Sequence, residues 1–134
     1  MSVNYSEAKI KEWVSKGLDR PAVEFAEAFG RELVDEKLAT AQIRNVFGEV
    51  RRIQMKMMDQ WEDSPVLLLL PKLAYSAKRA MAKTTAAKKF ADVLSIGVKA
   101  VVEGKDIEEK KRRFQYFADF FESILAYHKA HDRN

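Results

Sequence analysis

The chain has 134 residues, 47% hydrophobic and 33% charged, with a formal net charge of +4 and no cysteine. That length suits one domain able to bury roughly two-thirds of its unfolded surface, and the missing thiols exclude disulfides, thiolate metal sites and a cysteine nucleophile. No apolar run approaches the roughly 18 residues of a membrane span, and the opening MSVNYSEAKIKEW lacks the apolar stretch of a secretory signal, so a soluble cytoplasmic protein is expected.

Five glycines and three prolines are few, and alternating β-branched runs between turn dipeptides are almost absent. The segments between them are charged and alanine-rich, which suits helices. The expected fold is all-α, a compact bundle of about five to six helices forming one domain over residues 1–134. The first helix runs from an N-cap at Ser6 to Gly17, with Ile10, Trp13 and Val14 on one face. The second opens near Asp19, carries Pro21 in its first turn, and repeats Ala22, Phe25, Ala26, Phe29 and Leu33 at helical spacing while Glu24, Glu27, Arg31 and Asp35 face away.

The third helix starts at Thr40 and is predicted to continue to about Gln60. Ile43, Val46, Phe47, Val50, Ile53 and Met57 fall within one arc. Arg44, Gly48, Arg51 and Arg52 lie opposite, flanked by Asn45 and Lys56, with Glu49 at the edge. A glycine inside a helix costs about 1 kcal/mol relative to alanine, so Gly48 either admits something close to the backbone, meets a neighbouring helix, or is simply tolerated.

Ser64-Pro65 marks another helix start. Pro71 then interrupts the apolar run Val66–Leu70, because a proline clashes with the carbonyl four residues back; a kink or short turn is expected there, with a new helix from Pro71 to about Lys83. On it Lys72, Ser76, Arg79 and Lys83 form one line opposite Leu70, Leu73, Ala74, Ala77 and Met81. Tyr75 stands at the margin, placed either to stack on a base or to pack. A further helix runs from Thr84 or Thr85 to Gly104, with Lys88-Lys89 as a third basic cluster. The last opens on the capping box Asp106-Ile107-Glu108-Glu109 and ends near His131.

The charge excess is concentrated. Residues 1–43 carry 6 basic and 8 acidic side chains, residues 44–89 carry 10 and 4, and residues 90–134 carry 8 and 8. Such a segment is the footprint of an anionic partner, usually nucleic acid, or an ordinary solvated face, and whether the charges align decides between them. No carboxylate lies between Asp63 and Asp92, and two adjacent helices with uncompensated basic stripes could form a groove that tracks a phosphate backbone. The run Lys110–Arg113 looks more pronounced but points around most of its helix, and Glu108 and Glu109 supply local pairs, so it is expected to be solvated surface.

In the last helix Phe114, Phe117, Phe121, Leu125 and His128 line one side, and Tyr116, Phe120, Ile124 and Tyr127 another. An apolar arc this wide belongs at the centre of the bundle or in an interface with another chain, the centre being the favoured place. His128 and His131 lack the further ligands a metal needs. No phosphate-binding glycine loop and no nucleophile elbow is present. Neither a cofactor nor an enzymatic activity is expected.

Three segments taken together, QIRNVFGEVRRIQ (42–54), LLLLPKLAYSAKR (67–79) and FQYFADFFESILAYHKAH (114–131), resemble the small subunit of the type III-A CRISPR interference complex, the Csm ribonucleoprotein of antiviral defence. The resemblance spans Thr40 to His131, about two-thirds of the chain, and takes little from the first 39 residues. It implies an all-helical, non-catalytic subunit that stacks in several copies beside the guide-binding backbone filament and against the large signature subunit. Guide and target RNA are the implied partners, with basic helices on the target-strand backbone while base pairing reads sequence. The positions that carry over are Arg44, Arg51 and Arg52, then Lys72, Lys78 and Arg79. Two other readings stay open from the residues alone: a stand-alone helical DNA-binding regulator, and a protein-interaction bundle using the aromatic last helix.

Overall fold

The computed structural model describes residues 3–57, 59–80 and 85–132, with the backbone alone for Arg79 and Ala80. All its regular elements among the described residues are helices: α1 (Glu7–Lys16), α2 (Arg20–Asp35), α3 (Thr40–Met57), α4 (Asp63–Leu67), α5 (Leu69–Ala80), α6 (Ala86–Val102) and α7 (Ile107–His131). Six have ten residues or more, while α4 has only five. The all-α expectation holds.

Helix boundaries follow local chemistry. Ser6 accepts a hydrogen bond from the Lys9 amide, and Asp19 from that of Ala22. Asp106 accepts from the Glu109 amide at 2.8 Å while the Glu109 carboxylate reaches back to the Lys105 amide at 2.7 Å, a variant of the capping box whose return bond falls one residue before the cap. Gly17 ends α1 at φ 107°, its Cα facing the Tyr116 ring.

The end of α2 has no glycine. Lys37 takes φ 64°, the Leu38 amide bonds the Leu33 carbonyl and the Lys37 amide bonds that of Val34. This is a Schellman turn with a lysine in the left-handed position, closed by the buried pair Leu33 and Leu38.

Two boundaries differ from the sequence reading. Helix α3 ends at Met57 rather than near Gln60, where the Met57 sulfur accepts the Glu62 amide. Helix α5 starts at Leu69, not at Pro71. The break at Leu68 leaves Pro71 in the first turn, where its missing N–H removes no helical bond. Lys83, the expected end of this helix, lies outside the described residues.

The core centres on α7, which packs against α1, α2, α3 and α6, while α5 and α4 lie on α6 and touch α3. Phe114, Phe117, Phe120, Phe121 and Ile124 are almost fully buried, so both aromatic faces of α7 are core. Phe120 meets Trp13 and Phe25, Phe121 meets Phe47 and Phe90, and Phe114 meets Trp61. Each such side chain contributes about 1.5–3 kcal/mol by burial.

Glycines let the helices close on one another. A Cβ on Gly30 of α2 would lie 2.9 Å from the His128 amide nitrogen, and one on Gly97 of α6 would lie 2.7 Å from the Phe117 ring. His128 is itself structural. Its Nε2 donates to the Leu38 carbonyl at 2.8 Å, and its Nδ1 lies 3.3 Å from the Thr40 hydroxyl, which donates to Asp132. Among the described residues no three ligating side chains gather around a metal position, and no helix is long and apolar enough to cross a membrane.

Candidate nucleic-acid interface

Helix α3 buries Ile43, Val46, Val50, Ile53 and Met57 and turns its opposite side to solvent. Arg44 and Gly48 lie on that exposed ridge, and a Cβ on Gly48 would meet no atom within 4 Å. The glycine is therefore not making room for a neighbouring helix. Met55 shares the ridge and is 76% exposed.

The remaining cations divide between two flanks. On the α7 side, Arg51 donates to Glu122 at 2.9 Å and to Gln54 at 3.2 Å, with its guanidinium 4.9 Å from the centre of the Phe47 ring. On the α5 side lie Asn45, Glu49, Arg52 and Lys56, lining a groove whose other wall is formed by Lys72, Tyr75 and Ser76 of α5 with Pro65 and Leu68.

Glu49 sits between the two helices. It accepts from Arg52 and, across the groove, from Lys72 at 3.1 Å. The Arg52 hydrogen bond, followed by the Lys72 contact, holds the Glu49 carboxyl below its usual value against the opposing effect of burial. The stripe on α5, read from the sequence as uncompensated, is thus partly compensated by a carboxylate from another helix. The surface stays positive: Arg44, Arg51, Arg52, Lys56, Lys72 and Lys78 stand against Glu49, Glu62 and Glu122. Arg44, Lys56 and Lys78 are exposed and have no ion-pair partner among the described residues. Lys78 lies on the far side of the exposed α5 face from Lys72. The Arg79 side chain and Lys83 lie outside the described residues.

Two basic clusters depart from expectation. Lys89 turns inward and pairs with both Glu32 oxygens at 2.9 and 3.1 Å, joining α6 to α2, while its neighbour Lys88 is exposed. In the Lys110–Arg113 run only Arg112 is exposed, and the other three are half-buried. Lys110 spans to Asp63 of α4 at 3.0 Å, and Arg113 donates to the Ala100 carbonyl at 2.6 Å and pairs with Glu109. This run is mostly helix-to-helix fastening rather than solvated surface.

Sequence reasoning missed two features of the site. Gln42 lines the groove beside Ser76, and nothing in its spacing marks it. Leu67 and Leu68, read as part of an apolar run, stand exposed beside the basic surface, Leu68 by 54%. Periodicity could have separated them from Val66 and Leu69, which are buried.

A family model described as Csm2 Type III-A matches residues 20–134. The match includes α2, from which the resemblance of the three later segments took little. Neither a curated protein nor a solved structure matches the chain.

Proposed function

The chain belongs to the Csm2 family of type III-A CRISPR complexes, and on that premise we propose that it is a non-catalytic, RNA-contacting structural domain of the cytoplasmic effector, present in several stacked copies. Its exposed α3 ridge and the α3–α5 groove lie along the target-strand backbone paired with guide RNA. Sequence is read by base pairing, and this surface recognises charge and shape. The observation that carries the reading is the alignment of Arg44, the bare Gly48 backbone, Arg52 and Lys56 on one exposed helix face, with Lys72 across the groove. Phosphates approach such a face without displacing any side chain of the core. The exposed Leu67, which does not line the groove, is proposed to meet a neighbouring subunit, either another copy, the backbone filament or the large signature subunit.

The test is made on the assembled particle. Arg44, Arg52, Lys56 and Lys72 are reversed to glutamate together, leaving Arg51 in place because it fastens α3 to Glu122. Native mass spectrometry checks that subunit composition is kept, and filter binding measures target-RNA affinity. A loss of tenfold or more at physiological salt, with composition intact, is expected. Unchanged affinity in an intact particle would overturn the reading.

A further inference from the structure

Between Gln42 and Ser76 the groove between α3 and α5 holds a cleft of about 270 Å³, near the lower end of small-ligand sites, about 300 Å³. Its lining is unusual for a surface that only tracks phosphates. Tyr75 borders it and is 65% exposed, which leaves much of its ring accessible from the cleft. Gln42 and Asn45 each bring an amide, and Ser76 a hydroxyl, with no side-chain hydrogen bond to another described residue. Both bonds that Glu49 accepts end on Oε2, which leaves Oε1 without a hydrogen bond among the described residues. Lys72 closes one end.

We propose that this cleft receives a single unstacked nucleobase of the RNA, with Tyr75 as its stacking platform, Glu49 Oε1 and the Gln42 and Asn45 amides on its edge, and Lys72 on the adjoining phosphate. The inference rests on the RNA-contacting reading and adds a base pocket to it. Aromatic platforms hold bases because every base has a π-face. The Glu49 carboxylate adds a preference, since it can only accept. Cytosine, adenine and guanine offer it an amino group. Uracil offers one N–H set between two carbonyl oxygens, which a carboxylate repels. The pocket therefore favours amino-bearing bases over uracil.

Short single-stranded RNAs carrying one 5-iodocytidine or one 5-iodouridine are irradiated with the full chain at low salt, the crosslinked residue is mapped by mass spectrometry, and affinity is read in parallel by fluorescence anisotropy. The expected crosslink is at Tyr75, with cytidine exceeding uridine by roughly fivefold or more, as a hydrogen bond to a charged group would give. Tyr75→Phe keeps the crosslink to the ring, Tyr75→Ala removes it and weakens binding about tenfold, and Glu49→Gln reduces the cytidine preference while binding persists. Salt-dependent RNA binding with crosslinks elsewhere, and Tyr75→Ala binding as tightly as wild type, overturns the pocket but leaves the basic surface standing. No binding by the wild-type chain also overturns the pocket, and the particle measurement then judges the basic surface by itself.

Discussion

Gly48 has open space where a side chain would go, in the middle of an 18-residue helix. Alanine there adds no clash and removes the entropy that a helical glycine costs, so Gly48→Ala is expected to stabilise the isolated chain by about 1 kcal/mol, read as a higher urea midpoint with an unchanged slope. In the assembled particle the added methyl stands between the backbone and whatever approaches it, and target-RNA affinity is expected to fall. A stabilised chain whose particle binds RNA as before would make Gly48 merely tolerated. Gly30 gives the opposite contrast, since its missing Cβ is already occupied by the backbone of α7. Sequence alone could not separate these two mid-helix glycines, because the difference lies in what sits opposite each of them. Lys37 was equally illegible: its left-handed turn rests on Leu33 and Leu38 closing over the helix end, not on a residue type that favours positive φ.

Adjacent lysines on α6 show how an element assigns different work to similar side chains. Lys88 is exposed, whereas Lys89 neutralises Glu32, which is 7% exposed. Removing one partner of a buried pair leaves the other charge uncompensated, at a cost of about 3–5 kcal/mol. Lys89→Ala is expected to lose about 3 kcal/mol in chemical denaturation, while Lys88→Ala stays within about 0.5 kcal/mol of wild type. Between α4 and α7 the same logic appears as a pH dependence. The Trp61 indole N–H, with Lys110 next, holds the Asp63 carboxyl below its usual value, as Arg52 and Lys72 do for Glu49. A carboxyl lowered in the folded state stabilises at pH values above its unfolded value, and that contribution is lost as pH falls through the folded one. Stability is therefore expected to decline below about pH 4.5, and Lys110→Met to flatten that acid limb in a urea-midpoint series over pH. The caps at Ser6, Asp19 and Asp106 and the apolar face of each helix were legible from local spacing. The pairs that join helices were not: Glu49 with Lys72, Asp63 with Lys110 and Glu32 with Lys89 lie 23, 47 and 57 residues apart. Periodicity fixes where a side chain points on its own helix, but not which helix faces it. For that reason three of the apparent surface cations proved to be fastenings.

At the scale of the molecule, those fastenings decide how much of the middle segment's charge excess, 10 basic against 4 acidic side chains over residues 44–89, acts on a partner. A cation already paired to a carboxylate releases few counterions when it meets a phosphate; an unpaired one releases nearly its full share. Arg44, Lys56 and Lys78 have no partner among the described residues, whereas Arg52 and Lys72 share Glu49. With about 0.7 of a counterion per contact on single strands, three contacts give a slope of log affinity against log salt of about −2 for the isolated chain. Glu49→Gln frees two further cations and should steepen the slope to about −3.5, with tighter binding at low salt, provided the groove takes phosphates as proposed. An unchanged slope would mean that Arg52 and Lys72 do not reach the RNA. In an array the contacts of successive copies add while each later contact forms at high effective concentration. The assembled particle should therefore show a slope several times that of one chain, growing with the number of copies that the RNA spans. A particle with the slope of a single chain would place the target strand on other subunits, and the basic face of this one would then be a contact between proteins.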